Sequence, residues 1–443
     1  MKIYKSTHSP RDQRRGAILG VVMVIMGAVA FIGWSVVNLG GQDAVETSTN
    51  LSEVQAFWTA EAGLEEIKTI GQKYRLPFES IGGGGGLYGT AALGGTTSRG
   101  SYSVDVGNDP AWPSVGNRIK RYIITSTGTS NGGDSKSVSV RAEIQTFASY
   151  MHSSNSEETS GGANIYFATG DLLDGDVYVN DEINIHGTPQ ILGLTHSTAP
   201  TVNYQSGGSS AAFVGGLVLN ATPLDFLGAS GDHIDSIKNK AQSGGIAITA
   251  SGTYEIEFFA DGTVVHREDL GGGSYGAPTS NDLASINGAI YVNGDALVKG
   301  IVDGQVTIGV EDEIEIHENG IVYESAQSPN PWAAGFDPTA VDDALGLVAR
   351  NKVELLGSSE INIHAAVLVT QGDDGFTTKK RYRFIGTPLI NLYGSLGQWR
   401  RGVVGTVSGR GFLKNYKYDP NFTDNPPPWF PYSAYVITAW TRL

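Results

Sequence analysis

The chain has 443 residues and no cysteine, which excludes disulfides and cysteine-ligated zinc or iron–sulfur centres. Sixty glycines against only 17 % charged residues suit turn-rich β architecture better than helical bundles, and no G-X-Y period accompanies them, which excludes a collagen-like chain. The formal charge of −15 divides unevenly: residues 1–16 carry +4 and the remainder −19, an acidic body that disfavours nucleic acid behind a basic head suited to membrane orientation.

Directly after Arg14-Arg15-Gly16 comes AILGVVMVIMGAVAFIGWSVVNL, residues 17–39, without one charge. As a helix this run covers roughly 34 Å, enough for a ~30 Å hydrocarbon core, with the basic stretch on the cytoplasmic side. Gly40-Gly41-Gln42 is not a signal-peptidase site, and so long an apolar run does not suit a twin-arginine signal. Leu51, Val54, Phe57, Trp58, Leu64 and Ile67 recur mainly at three- and four-residue intervals, so the helix is expected to continue beyond the membrane, with Gly40-Gly41 a place to loosen.

These parts, RRG, an apolar helix and then AFWTAEAGLEE at residues 56–66, resemble the N-terminus of PilX-like minor pilins and pseudopilins of type IV pili and type II secretion systems. The resemblance covers about 60 residues. It implies cleavage by a prepilin peptidase after Gly16, an N-methylated mature terminus at Ala17, and filament packing through Val21, Phe57, Glu61 and Leu64. The family usually carries Glu at the fifth mature position, where this chain has Val21; PilX-like and tip pseudopilins often lack that Glu too. The implied partners are other pilins or pseudopilins, the prepilin peptidase and, before assembly, the inner membrane.

Residues 76–107 are Gly-rich, with an unbroken run at 82–86, but no Gly-Lys-Ser/Thr follows, so this is loop and not a phosphate cradle. Residues 101–106, 121–127 and 137–146 alternate polar and apolar positions, which predicts three strands of a small pilin-like sheet over the helix stripe. Beyond residue 160 the chain is quasi-repetitive: GDVYVNDEINIHG is echoed by GAIYVNGDALVKG, and Ile-x-Ile-His recurs at residues 183–186, 314–317 and 361–364. Apolar residues at i and i+2 between Gly, Asn or Asp turns predict an irregular parallel β-helix (β-solenoid), with a β-sandwich as the alternative. TYEIEFFADGTVV at 253–265 reads as a hairpin insertion, and residues 339–348 after Asp337-Pro338 as a short helix.

INLYGSLGQWRRGVVGTV at 390–407, KNYKYDPNF at 414–422 and NPPPWFP at 425–431, with VNGDALVKG and LVARNKVEL upstream, resemble a bacterial family of β-helical surface domains found behind PilX-like N-termini. No chemistry is associated with that family. The organisation expected is therefore a prepilin leader 1–16, a pilin-like helix 17–75 with its membrane span at 17–39, a Gly-rich loop and small sheet 76–150, a solenoid 151–424, and a Pro-rich segment with a C-terminal edge or cap strand 425–443.

Candidate chemistry is sparse. The Ile-x-Ile-His histidines would form a metal-binding ladder only if stacked in register, and Asp171, Asp174, Asp176 and Asp181 lack calcium-loop spacing and read as turn residues, so no metal or cofactor is expected. Asp342-Asp343 and Asp373-Asp374 are adjacent and point to opposite faces, unlike the facing carboxylates of a glycosidase. Trp332, Trp399, Trp429 and Tyr432, in Pro- or Gly-rich stretches, are the candidate contacts for surface carbohydrate or protein. The sequence is thus read as a non-enzymatic minor pilin or pseudopilin that primes or assembles a filament and carries a solenoid contact module from the cytoplasmic membrane to the cell surface. The alternatives are a membrane-anchored β-helical carbohydrate-active enzyme and a DNA-uptake pilin binding weakly through Lys379-Lys380-Arg381 or Arg400-Arg401.

Overall fold

The computed structural model describes residues 11–74, 78, 93–111, 118–226, 233–328, 330–379 and 386–442, with helix side chains from residue 19 onward. Residues 1–10 of the expected leader, the glycine run 82–86 and Lys380-Arg381 lie outside the described residues. Helix α1, Arg11–Tyr74, is 64 residues long, about 96 Å of helix. It contains Gly16 and Ala17 and runs as continuous helix through Gly40-Gly41, the place expected to loosen. It is long and apolar enough to cross a membrane, and from Leu19 to Leu39 its large apolar side chains, such as Met23, Phe31 and Trp34, are bare.

Further along, the same helix is docked. Strands β1 (Leu93–Thr97), β2 (Gly100–Asn108), β3 (Arg121–Ser130) and β4 (Ser135–Thr146) form an antiparallel sheet in that order. The three alternating runs at 101–106, 121–127 and 137–146 fall within β2, β3 and β4. Its buried residues Val104, Tyr122, Ile124, Val140 and Ala142 meet Ala60, Leu64 and Ile67 of α1. A Cβ on Gly128 would lie 2.2 Å from the Ala56 carbonyl oxygen and 2.3 Å from the Ala60 nitrogen, so helix and sheet touch backbone to backbone there. The fifth strand is the C-terminal Tyr432–Arg442, antiparallel to β4. It is an edge strand as expected, but of this small sheet and not a cap on the parallel body.

The rest of the chain is mainly β and mostly parallel. One ladder stacks Ile246, Ile290, Ile308, Leu347, Val367, Leu396, His152, Val177, Thr195 and Leu217, each directly on the next. A second runs through Tyr254, Ala296, Ile314, Val353 and Phe376, and a third through Ile321, Ile363, Leu392, Tyr416, Leu173 and Ile191. Almost all of these side chains are buried in one apolar core, because period-two alternation keeps every second residue facing inward. The expected hairpin is present, with Ile246–Phe258 antiparallel to Thr263–Gly271 around Asp261-Gly262. The expected helix at 339–348 is not: Pro338–Ala340 makes one 3-10 turn and Ala344–Ala349 is a strand buried on both faces. A doubly buried strand lacks alternation, and its apolar run imitates a helix.

The order of stacking departs from the order of sequence. The chain leaves the small sheet at β4, joins the ladder in its interior as β5 (His152–Ser156), and winds outward to Leu217–Val218. The next strand of the ladder, Ile246–Phe258, lies at the opposite end, nine ladder spacings or about 43 Å away. Between them in sequence, helix α2 (His233–Gln242) buries Ile234, Ile237 and Ala241 against the ladder's outer face, which Tyr291 and Ala344 share. From Ile246 the chain winds back until Leu389–Arg400 meets β5 and Leu413–Tyr418 meets Leu172–Asp174.

That seam is closed by buried ions. Arg401 and Glu157 are paired and almost fully buried, and Arg401 also donates to the Tyr166 carbonyl oxygen at 3.2 Å and lies 3.7 Å from the Phe167 ring centre. Lys414 pairs with Asp171 at 2.7 Å. Burial alone would raise the Glu157 carboxyl, but the Arg401 guanidinium first, then the His152 ring and the Ser154 hydroxyl, overcome it and hold it at about 2. The depressed value contributes roughly 3 kcal/mol above pH ~4.5, lost as pH falls toward 2. We predict that Glu157→Gln, which leaves Arg401 buried without its counter-charge, loses about 3–5 kcal/mol in urea unfolding at pH 7, whereas Glu157→Met with Arg401→Met loses much less. Equal losses for single and double variants would show that the pair does not close the seam.

Candidate ligand-binding groove

Strands Ile361–Val369, Leu389–Arg400 and Leu413–Tyr418 are parallel neighbours, with Asn362, Asn391 and Asn415 at one level across all three. Ile361, Ile363, Ile390 and Leu392 take the inward positions, so the asparagine between each pair faces outward. The Asn391 amide donates to Asn362 Oδ1 at 3.0 Å and to Glu360 Oε1 at 2.7 Å, and its own oxygen accepts from Asn415 Nδ2 at 2.6 Å. The middle amide is saturated. At the ends, Asn362 Nδ2, Asn415 Oδ1 and Glu360 Oε2 have no partner among the described residues.

The ladder floors a groove of about 500 Å³ whose wall is the segment leading to Trp332. Asn330 Oδ1 accepts from the Trp332 backbone nitrogen at 3.0 Å, and the Lys417 ammonium donates to the Pro331 carbonyl oxygen at 2.7 Å, which together fix the wall. Trp332 Nε1 is shielded from water without an acceptor. Its ring lies 6.2 Å from that of His364, which contacts Tyr323 and Tyr393 beneath. His364 Nδ1 accepts from the Tyr323 backbone nitrogen at 3.1 Å, and burial pushes the imidazole down to about 3, so the ring is neutral. Tyr393 donates to Asp419 Oδ1 at 3.0 Å, and burial pushes that carboxyl up to about 6.

Of the four predicted aromatic contacts, Trp332 alone lines the groove. Trp399 sits on Phe226 with ring centres 6.5 Å apart. Trp429 donates from Nε1 to the Asn287 carbonyl oxygen at 2.7 Å and carries the Lys240 ammonium 4.5 Å over its ring, which pins the C-terminal segment to α2. Tyr432 belongs to the small sheet. The three repeat histidines do not stack: His186 is level with Ala168 and Gln205, His364 with Tyr393, and His317 accepts from the Asn319 nitrogen. Among the described residues no group of three or more His, Asp or Glu is placed to hold a metal. Of the four aspartates, Asp171 is bound to Lys414 while Asp176 and Asp181 accept from the backbone nitrogens of Leu194 and Glu157. Asp343 is buried on the Gly304 and Ser325 nitrogens while Asp342 is exposed, and Asp373 pairs with Arg400.

On α1, Leu64 is spent on the chain's own sheet, Phe57 is half-buried beside Trp440, and Glu61 accepts from Trp440 Nε1 at 3.2 Å. Val21 is 58 % exposed on the bare stretch. Sequence reasoning followed the histidine of Ile-x-Ile-His and passed over its x. The signal was there in INI at 361–363 and INL at 390–392, where a polar amide sits between inward apolar residues.

No family model, curated protein or solved structure matches the chain.

Because Asp419 has a raised folded value, its charge costs stability above pH 6, and that cost disappears as pH falls below the unfolded value near 3.8. Asp419→Asn removes this titration. Its stability relative to the unsubstituted chain is expected to be about 2 kcal/mol more favourable at pH 7 than at pH 4. A difference that stays constant across this range would show that Asp419 is charged at neutral pH without penalty.

Proposed function

We propose that the protein is a PilX-like minor pilin or pseudopilin whose parallel ladders wind as a β-helix and serve as a contact module outside the cytoplasm. The observation that carries the reading is the division of α1: bare and apolar over residues 19–39, then docked backbone to backbone on a small antiparallel sheet. An isolated soluble domain has no use for a 64-residue helix with its first half uncovered, whereas a subunit that moves from a bilayer into a helix-packed filament needs both halves. The β-helix reading is supported by three parallel ladders whose inward residues are nearly all apolar.

The same reading assigns the filament end. In pilin filaments the fifth-position Glu of an incoming subunit meets the terminal amine of the subunit already in place, and Val21 cannot do so. A buried unpaired amine costs several kcal/mol, so this subunit is poorly accepted onto an existing shaft, while a first subunit has no predecessor to satisfy. The bulk of the β body favours the end as well. Its partners are then other pilins, the prepilin peptidase and the cytoplasmic membrane before assembly.

Two measurements test this. Mass spectrometry of the protein from cells with an active prepilin peptidase is expected to find a mature terminus at Ala17; retention of residues 1–16 would leave a plain membrane anchor. Immunogold labelling against residues 161–443 is expected to mark filament ends, and regular label along the shaft would refute the tip assignment.

A further inference from the structure

We propose that the asparagine-floored groove binds a neutral oligosaccharide, with a sugar ring against Trp332 and sugar hydroxyls bonded by Asn362, Asn415 and Glu360. This rests on the reading of the β body as a contact module and is independent of the filament assignment.

The inventory of unmade bonds selects the ligand. Among the described residues Asn362 presents a free donor, and Glu360 and Asn415 free acceptors, all lining the groove. A hydroxyl both donates and accepts, so a row of hydroxyls satisfies either kind of group at every position. Ladder neighbours are about 4.8 Å apart, which places the free ends of the three-asparagine row nearly 10 Å apart, a length suited to more than one sugar residue. A volume of about 500 Å³ lies within the ordinary range for small-ligand sites. Trp332 adds an apolar face beside the polar floor, the combination that a pyranose ring with its C–H and O–H surfaces requires.

Charge excludes the acidic competitors. Among the described residues lining the groove none is Lys or Arg, and Glu360 puts a carboxylate there. His364 remains neutral down to about pH 3, so mild acid does not supply a cation. Among the described lining residues a uronate, sulfate or phosphate group would meet the Glu360 carboxylate and no cation, whereas a neutral glycan takes the same carboxylate as a strong acceptor.

The full chain in detergent micelles, applied to a printed array of neutral and acidic glycans, is expected to bind neutral members. Saturation-transfer NMR on the best of them should place the strongest signals on ring C–H protons. Trp332→Ala is expected to weaken binding at least tenfold, Asn362→Ala about fivefold, and Trp429→Ala not at all. Asn362 is an exposed end of its ladder, so its loss leaves the core intact, and it decides the matter if Trp332→Ala disturbs the wall. Absence of neutral-glycan binding, preference for uronate or sulfated glycans, or binding that survives both groove substitutions would each overturn the inference. A tip-located protein that binds no neutral glycan refutes the groove's ligand and leaves the filament assignment standing; glycan binding by a protein with an uncleaved leader does the reverse.

Discussion

The seam where Leu389–Arg400 meets β5 and Leu413–Tyr418 meets Leu172–Asp174 is the constraint on which the rest of the fold depends. Leu396, Gln398 and Arg400 pair with His152, Ser154 and Ser156, nearly 250 residues away in sequence. Closing so long a loop gives no reward until both strands are in place, so the contact must be strong and unambiguous in register. Apolar ladder residues alone are interchangeable between levels, since Ile, Val and Leu stack on one another equally well. The Arg401–Glu157 and Lys414–Asp171 pairs are not interchangeable, because a shift by one level leaves all four ions without partners at buried positions. Their net contribution to stability is offset by desolvation; their contribution to choosing one register is not.

The seam also decides how the body is held. Because the chain both joins and leaves the ladder there, β4 and the C-terminal strand, which are paired in the small sheet, form two adjacent tethers to the same level. Arg118 donates to the Pro426 carbonyl oxygen and Arg121 pairs with Asp424, binding the sheet to the returning segment. The small sheet is therefore joined to the body through two strands, at the interior of the ladder and not at an end.

Local periodicity made much of this legible. The alternation of β2, β3 and β4, the hairpin around Asp261-Gly262 and the uncharged run 17–39 each follow from patterns over fewer than about 25 residues. The order of stacking could not be read, because Ile-x-Ile units carry no label for their neighbour above or below. Ala344–Ala349 was misread as helix for the related reason that a strand buried on both faces has no polar phase. The groove was half visible: Trp332 stands out by type, but Asn362, Asn391 and Asn415 become a site only when three strands distant in sequence come level.

That levelling explains why the groove is suited to recognition. Isolated surface asparagines lose rotamer freedom on meeting a ligand, and that loss offsets much of what each hydrogen bond contributes. Here Asn391 is held by three bonds at once, and through it Asn362, Asn415 and Glu360 are fixed before any ligand arrives. Beneath them, His364, Tyr323 and Tyr393 form a neutral, tightly packed floor that cannot shift without opening the core. The outer face on the other ladder has no such freedom to bind, since α2 and Phe226 cover it in the crossing from one end of the body to the other. The permuted stacking order thus has a consequence beyond topology: α2 and Phe226, between the two ends of the ladder in sequence, cover one apolar flank, while the asparagine ladder keeps its rigid polar row open.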